Sequence, residues 1–369
     1  MQVPAHVDYE KATSVEHALA LLARFGPETR VLAGGHSLIP MMKLRLAQPG
    51  TLVDINGLSE LSYITVTEGE LRIGALTRHA QLLASAAAGA HFPILHDAEQ
   101  VIADPVVRNW GTIGGSLCQA DPSEDLSAAF AALQASMLIQ GPAGSRIVPA
   151  REFHTGPYET VVASAELLAE IRIPVRPGGG SAYQKVGRRV GDWPVCAAGA
   201  AIWLSGDTIT AAGIGLTAVG APSFAAAEAE DFLRGAPATE ASFRRAGQIA
   251  AEHCHPVSDQ RGPADYKRHL ASELTSRALA VALRRAQERE LAGDQQPAQG
   301  EDERQGDGRV PGRGGVPGRG GAPGKGGAPG KGGAPGKGGP PGKERVQGKG
   351  RVPGKGQEPG KGRAGPRGA

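Results

Sequence analysis

From Gly312 to Gly342 a glycine stands at every third position, in repeats of the form xPGxGG. This feature decides which part of the chain can build a core. Glycine at every third residue is the collagen rule, but many triplets here read Gly-Lys-Gly or Gly-Arg-Gly, and the second glycine adds backbone freedom. The run is also short and breaks at Arg345. A triple helix is therefore rejected, and the segment is read as disordered because it has almost no apolar side chain to bury. Arg309 to Ala369 hold 24 of the 55 glycines, with 14 Lys+Arg against 2 Asp+Glu; the first 308 residues hold 26 against 35. The net charge of +3 over the 369 residues thus comes from a basic tail on an acidic body. The tail can attract polyanions, but it lacks an aromatic residue to stack a base, so no specific nucleic acid is expected.

The body has ample apolar residues for cores. No run approaches the roughly 18 to 20 apolar residues that span a bilayer. The start, MQVPAHVDYEKATS, has neither a basic nor an apolar leader region, and a cytoplasmic location is expected, with association at the inner face of the membrane left open. Cys118, Cys196 and Cys254 form no CxxC and no disulfide framework. They also cannot supply the four thiolates of an ordinary iron–sulfur cluster.

Pattern and punctuation predict a mixed α+β body. Thr13-Ser-Val-Glu16 reads as a capping box before the stripe Ala18, Leu19, Leu22, Ala23, and Gly26-Pro27 ends that helix. Strands are expected over 30–33 and 51–55, and a hairpin over 63–76 around Glu68-Gly69. Thr77 is expected to cap a helix through Ala88, with another helix from Pro93 to Ala103. A helix near Ser123, a hairpin around Gly141 to Gly144 and a strand over 166–175 complete the first half. RPGGGS, 176–181, reads as a linker. Two long strands joined at Gly206-Asp207 and helices over 224–234, 239–253 and 263–290 follow.

Two stretches carry the chemistry: VLAGGHSLIP at 31–40 and GTIGGSLCQAD at 111–121. A backbone touching a bulky, doubly charged pyrophosphate must have no Cβ in the way and N–H groups facing the oxygens. Gly34-Gly35 and Gly114-Gly115 offer that surface, and Ser37, Ser116 and Thr112 add hydroxyl donors. On this reading a branched side chain at Gly35 or Gly114 would take the phosphate's place. No GxGxxG opens a helix and there is no GxxxxGK[ST], so neither the Rossmann nor the P-loop fingerprint applies. Either pair alone reads as a tight turn; two pairs with hydroxyl neighbours point to a nucleotide.

AGGHSLIPMMKLRLAQPGTLVDIN, RHAQLLAS and ADPVVRNWGTIGGSLCQADPSEDLSAAFAAL closely resemble the FAD-binding medium subunit of molybdenum hydroxylases. The aerobic carbon monoxide dehydrogenase medium subunit looks nearest, and the xanthine dehydrogenase flavin domain is a more distant cousin. The resemblance spans about residues 1–290. It implies a vanillyl-alcohol-oxidase (PCMH)-type FAD-binding fold, with two α/β subdomains followed by a smaller C-terminal α/β domain. The expected boundaries are 1–177 for the FAD domain (subdomains about 1–56 and 57–177), 178–291 for the C-terminal domain, and 292–369 for the disordered basic tail. It further implies that Ala33, Gly34, Gly35, His36, Ser37 and Leu38 cradle the FAD pyrophosphate. Thr112, Ile113, Gly114, Gly115 and Ser116 would line the other side, and Asp125 would contact the ribityl region.

KVGRRVGDWP, 185–194, resembles the segment that brings an aromatic or basic residue against the isoalloxazine ring. Lys185 and Trp193 are the candidates; a tyrosine often sits near this position in the relatives, so Trp193 is a departure. Lys185, Arg188 or Arg189 could offset the negative charge of a reduced flavin, or be solvated surface charges. Asp121 and Asp125 read either as an acid/base pair or as helix caps, with capping preferred for Asp121. His36 is expected to order backbone or meet phosphate rather than catalyse, and no catalytic residue is assigned. His253-Cys254-His255 has no second pair at zinc-ligand spacing, so no metal site is assigned.

The resemblance implies an electron-transfer flavoprotein. Its partners would be a molybdenum-cofactor large subunit and a [2Fe-2S] small subunit, as a dimer of heterotrimers, with an external electron acceptor. Two other readings stay open: a stand-alone FAD oxidase or dehydrogenase, and a binding module acting through the cationic tail.

Overall fold

The computed structural model describes residues 3–291; the tail read as disordered lies outside the described residues. The chain begins with β1 (Asp8–Lys11), α1 (Val15–Phe25), β2 (Thr29–Leu32), α2 (Leu38–Lys43) and β3 (Thr51–Asp54). The three strands form a parallel sheet in the order β1-β3-β2. Val15, Ala18, Leu21 and Leu22 of α1 face its core, together with Val53 and Ile55. The capping residue is Ser14, whose Oγ accepts the His17 N–H at 3.1 Å, one residue later than the box placed it. Thr13 instead meets the His17 ring through its own N–H and hydroxyl.

The second layer comprises β4 (Ile64–Thr67), β5 (Glu70–Gly74), α3 (His79–Ala84), α4 (Ala86–His91), α5 (Pro93–Val101), α6 (Pro105–Trp110), α7 (Ile113–Gln119), α8 (Asp125–Ala132), β6 (Ser136–Gly141), β7 (Gly144–Pro149), α9 (Ala150–Phe153), β8 (His154–Gly156), β9 (Glu159–Thr160) and β10 (Leu167–Pro174). Five of these strands pair antiparallel in the order β4-β5-β10-β6-β7. The β4–β5 turn holds Glu68 and Gly69 at φ 52° and 73°, the geometry a two-residue hairpin needs. The single helix expected over 77–88 is two helices broken at Ser85, which caps α4 by accepting the Ala88 N–H. Thr77 is not a cap: its hydroxyl donates to Tyr63 O. The second glycine pair lies inside α7, not in an open loop, and α6 was not foreseen.

The third layer holds β11 (Gly179–Gly187), β12 (Pro194–Ser205), β13 (Thr208–Thr217), α10 (Ala227–Leu233), α11 (Glu240–Glu252) and α12 (Ala264–Leu291), with an antiparallel sheet β11-β12-β13. The expected pair of long strands is therefore a trio, and the expected linker 176–181 already contains the start of β11. The reason is close packing. A Cβ on Gly180 would lie 2.0 Å from Ala282 O, so the strand lies flush on α12 only as glycine. Gly180→Val is expected to lose about 1–3 kcal/mol of stability or more, seen as a lower denaturant midpoint; an unchanged midpoint would contradict this packing.

β12 is buried on both faces, which is why it reads as an unbroken apolar run. Cys196, Ala198, Ala200 and Ile202 pack with α10–α12, while Ala197, Ala201 and Trp203 join the core of the five-stranded sheet. α8 is buried along its whole length against β12 and β13. Cβ atoms on Gly213 and Gly215 would each lie 1.8 Å from an α8 carbonyl, so glycines set that approach. The end of β13 also holds the start of α8, and with it Asp125: the Thr217 hydroxyl and the Ala218 N–H donate to Pro122 O at 3.2 and 3.1 Å.

Candidate cofactor site

β2 ends at Leu32, and the chain turns through Ala33–Ser37 into α2. Asn56, just past β3, holds the turn: its side-chain amide donates to Ala33 O at 2.5 Å and to Asp54 Oδ1 at 2.8 Å. Arg78 ties this loop to the second one, donating to Asn56 Oδ1 at 3.0 Å and to Trp110 O at 2.5 Å. The two stretches touch directly. A Cβ on Gly34 would fall 2.2 Å from Trp110 O and 2.8 Å from Gly111 Cα. Gly35 sits at φ +73°, a conformation favouring glycine.

The backbone N–H groups of Gly34, Gly35, His36, Ser37 and Leu38 find no acceptor among the described residues. All five residues line one cavity of about 1150 Å³. Five successive donors beside a cavity suit an anion with several oxygens.

The second stretch is built differently. Gly114 N–H donates to Ala75 O at 2.8 Å, and a Cβ there would lie 2.6 Å from Ala75 Cβ. Gly115 N–H donates to the Thr112 hydroxyl oxygen at 3.1 Å, making Thr112 the cap of α7. Ser116 Oγ donates to Glu124 Oε1 at 2.7 Å. The N–H groups of Gly114, Gly115 and Ser116 and two hydroxyls are thus engaged within the protein, and the glycines there serve close approach. Thr112, Gly114, Gly115 and Ser116 line the cavity; Ile113 does not, being fully buried with its N–H on Thr77 O.

Asp125, Lys185 and Trp193 line the same cavity. Lys185 Nζ donates to Asp125 Oδ2 at 2.8 Å and to Val101 O at 3.1 Å, and the Tyr183 hydroxyl donates to Asp125 Oδ1 at 2.8 Å. The Asp125 and Lys185 side chains are 5 % and 6 % exposed. Burial pushes the Asp125 carboxyl up to about 6, against the opposing pull of Lys185 and Tyr183. Lys185 is therefore the buried cation of its segment, whereas Arg188 and Arg189 are exposed. Trp193 is half exposed and donates its backbone N–H to Asp192 Oδ1.

Neither aspartate caps α8. Glu124 does, accepting the N–H groups of Leu126 and Ser127, while Asp121 accepts from Ser123 N–H and Tyr158 hydroxyl. A buried pair behind the second stretch was also unforeseen: His79 Nδ1 lies 3.0 Å from both Glu99 carboxylate oxygens. Burial disfavours the charged ring of His79, but the Glu99 carboxylate outweighs it and raises the ring's pKa. Asn56, Arg78, Glu99 and Tyr183 are ordinary types in ordinary contexts; only their contacts single them out. His253 sits at the C-terminal end of α11 with Nδ1 on Ile249 O, and Cys254 is buried in the helical core.

A cavity floored by free N–H groups, joined by two glycine contacts and bounded by a buried carboxylate–lysine pair, defines a flavin-binding protein of the PCMH type. The comparisons agree. Residues 5–176 match the FAD binding domain in molybdopterin dehydrogenase, and 181–282 match the CO dehydrogenase flavoprotein C-terminal domain. The carbon monoxide dehydrogenase medium chain of Afipia carboxidovorans is 40 % identical over 285 residues, covering 77 % of this chain and 99 % of its own. The glyceraldehyde dehydrogenase medium chain of Sulfolobus acidocaldarius is 36 % identical, covering 75 % and 98 %. The carbon monoxide dehydrogenase of Hydrogenophaga pseudoflava, solved lacking the Mo-pyranopterin moiety of its cofactor, superposes with a TM-score of 0.74 at 41 % identity, over 77 % and 99 % of the two chains. This chain belongs to the FAD-binding medium-subunit family of the carbon monoxide dehydrogenase and xanthine dehydrogenase type, and is an oxidoreductase subunit.

Proposed function

We propose that this chain is the electron-transfer flavin subunit of a molybdenum hydroxylase, working with a molybdenum-cofactor large subunit and a [2Fe-2S] small subunit as a dimer of heterotrimers in the cytoplasm. The observation that carries the reading is the row of five N–H groups from Gly34 to Leu38, without an acceptor among the described residues, on the cavity wall. FAD, when bound, supplies a two-electron store that can be filled and emptied one electron at a time.

The chain's own residues do the rest. Ala33 to Leu38 bind the pyrophosphate through backbone donors, with His36 and Ser37 beside them. Thr112 to Ser116 close the second wall; Ile113 acts there as the buried anchor. Asp125 meets the ribityl chain. Lys185, held by Asp125 and Val101 O, places positive charge in the cavity, where it opposes the negative charge of reduced flavin. Trp193 covers the ring end. The cofactor domain is 1–177 and the C-terminal domain 178–291. The relatives' names run from carbon monoxide to glyceraldehyde, so the flavin subunit leaves the choice of substrate to the large subunit.

The test is a tagged chain purified gently from its native host. Flavin absorption overlaid with iron–sulfur absorption, with two further chains on the gel, is the expected result. Flavin from this chain alone, turning over a substrate without partners, would replace this reading with a stand-alone oxidase. No helix among the described residues is long and apolar enough to cross a membrane.

A further inference from the structure

Two arginines approach one carboxylate at the edge of the cavity, and the charge of a third acts on it. Asp192 lies between β11 and β12 with its side chain 8 % exposed. Its Oδ1 accepts the Trp193 N–H at 2.9 Å. Its buried Oδ2 accepts no hydrogen bond from the described residues, and its contacts with Arg188 and Arg189 are long, 3.6 and 3.7 Å. Arg261, in the turn bridged by Asp259 and Gly262, buries its Nε without an acceptor. None of the three guanidinium groups donates a hydrogen bond to the described residues. Burial works against the charged Asp192, but the Trp193 N–H and the charges of Arg188, Arg189 and Arg261 outweigh it and hold its carboxyl below the usual range.

One carboxylate therefore faces three cations, on a body that is acidic as a whole. The neighbouring carboxylates have partners of their own: Asp259 takes Lys267 Nζ at 2.7 Å, and Asp121 takes the Tyr158 hydroxyl at 3.1 Å. The place is fixed by Gly191, at φ +73°, where a Cβ would fall 2.7 Å from Ala103 O. Gly191, Asp192 and Trp193 line the cavity, and Arg188 and Arg189, which are not part of its lining, reach it through Asp192.

We propose that Arg188 and Arg189 form a recognition site for a small polyanionic oxidant at the mouth of the flavin cavity. Guanidinium forks pair with anionic oxygens in two parallel hydrogen bonds, and the exposed Arg188 and Arg189 have donors to give. The occupant is small rather than a protein surface because Asp192, which Arg188 and Arg189 approach, lines the cavity that the oxidant must enter. This rests on the flavin reading above. With ferricyanide as oxidant the step balances: two electrons leave the reduced flavin, one to each of two ferricyanide ions, and two protons leave to water.

The test uses the full chain and ferrocyanide, which binds without being reduced. The tail also carries cations, so the pair Arg188→Ser with Arg189→Ser is compared with Lys325→Ser with Lys331→Ser, which removes the same charge from the tail. Calorimetry is expected to show ferrocyanide affinity down about tenfold or more in the arginine pair and within about twofold of the parent in the lysine pair. In flavin-loaded samples, reoxidation by ferricyanide should slow in the arginine pair while reoxidation by menadione, a neutral quinone, holds. Equal weakening of ferrocyanide binding in both pairs, or none in the arginine pair, overturns the site. Equal slowing of both oxidants overturns it too, because the loss would then lie in the flavin. A chain that never carries flavin yet binds ferrocyanide through these arginines refutes the flavin reading and with it the oxidant role, and leaves only an anion site.

Discussion

Gly35→Val is expected to yield a folded chain without flavin. The residue stands at φ +73°, and a β-branched side chain there costs on the order of 1–3 kcal/mol of backbone strain. Its Cβ would point at Ile39 Cγ1 and Leu32 Cδ1, at 3.2 and 3.3 Å, rather than into the place of a phosphate. The cofactor is lost through the backbone: relaxing φ swings the N–H groups that follow out of line. The measurement is flavin absorbance per chain after desalting, beside a thermal melt of the same sample. Full flavin content in a chain of normal stability would remove the pyrophosphate from this loop. Gly114→Val also loses flavin, for another reason: its Cβ strikes Ala75 and pushes α7 off the sheet, so its melt falls as well.

The second large effect is at Lys185. Lys185→Met leaves the Asp125 carboxylate buried with only the Tyr183 hydroxyl, and breaking a buried pair from one side costs about 3–5 kcal/mol. The loss depends on pH in a fixed direction. Burial already holds the carboxyl up at about 6, and removing the opposing lysine moves it higher. A carboxyl whose folded pKa lies above its unfolded value is favoured by folding when protonated, and that advantage disappears as pH rises through the folded pKa. The variant should therefore be most impaired near pH 8 and recover as pH falls towards 6. Urea unfolding at the two pH values checks this, and adding Asp125→Asn should flatten the difference. A deficit that is the same at both pH values would mean that the lysine acts through packing alone.

Most elements were legible because their signals are local. The Glu68-Gly69 turn, the long strands around Gly206 and the three late helices follow from periodicity and punctuation over a few residues. What failed was set by distant contacts. Gly179 and Gly180 read as a linker, since glycine runs usually do; they are strand because Trp203 and the α12 backbone lie against them. The glycine pairs looked equivalent in sequence, yet one leaves its N–H groups without acceptors and the other donates them to Ala75 and Thr112. Asp125 was visible as a helix-start acid; its bond to Lys185 crosses sixty residues, and no short-range pattern carries it.

β12 belongs to two cores at once, its alternate side chains serving the five-stranded sheet on one side and the helices on the other. The border near residue 177 is therefore a border in the chain and not a line of cleavage in the molecule. A fragment ending there would present to water the greasy wall that β12 and β13 normally cover, and the start of α8, carrying Asp125, would lose its backing. Asp125 and the helical layer thus stand or melt together.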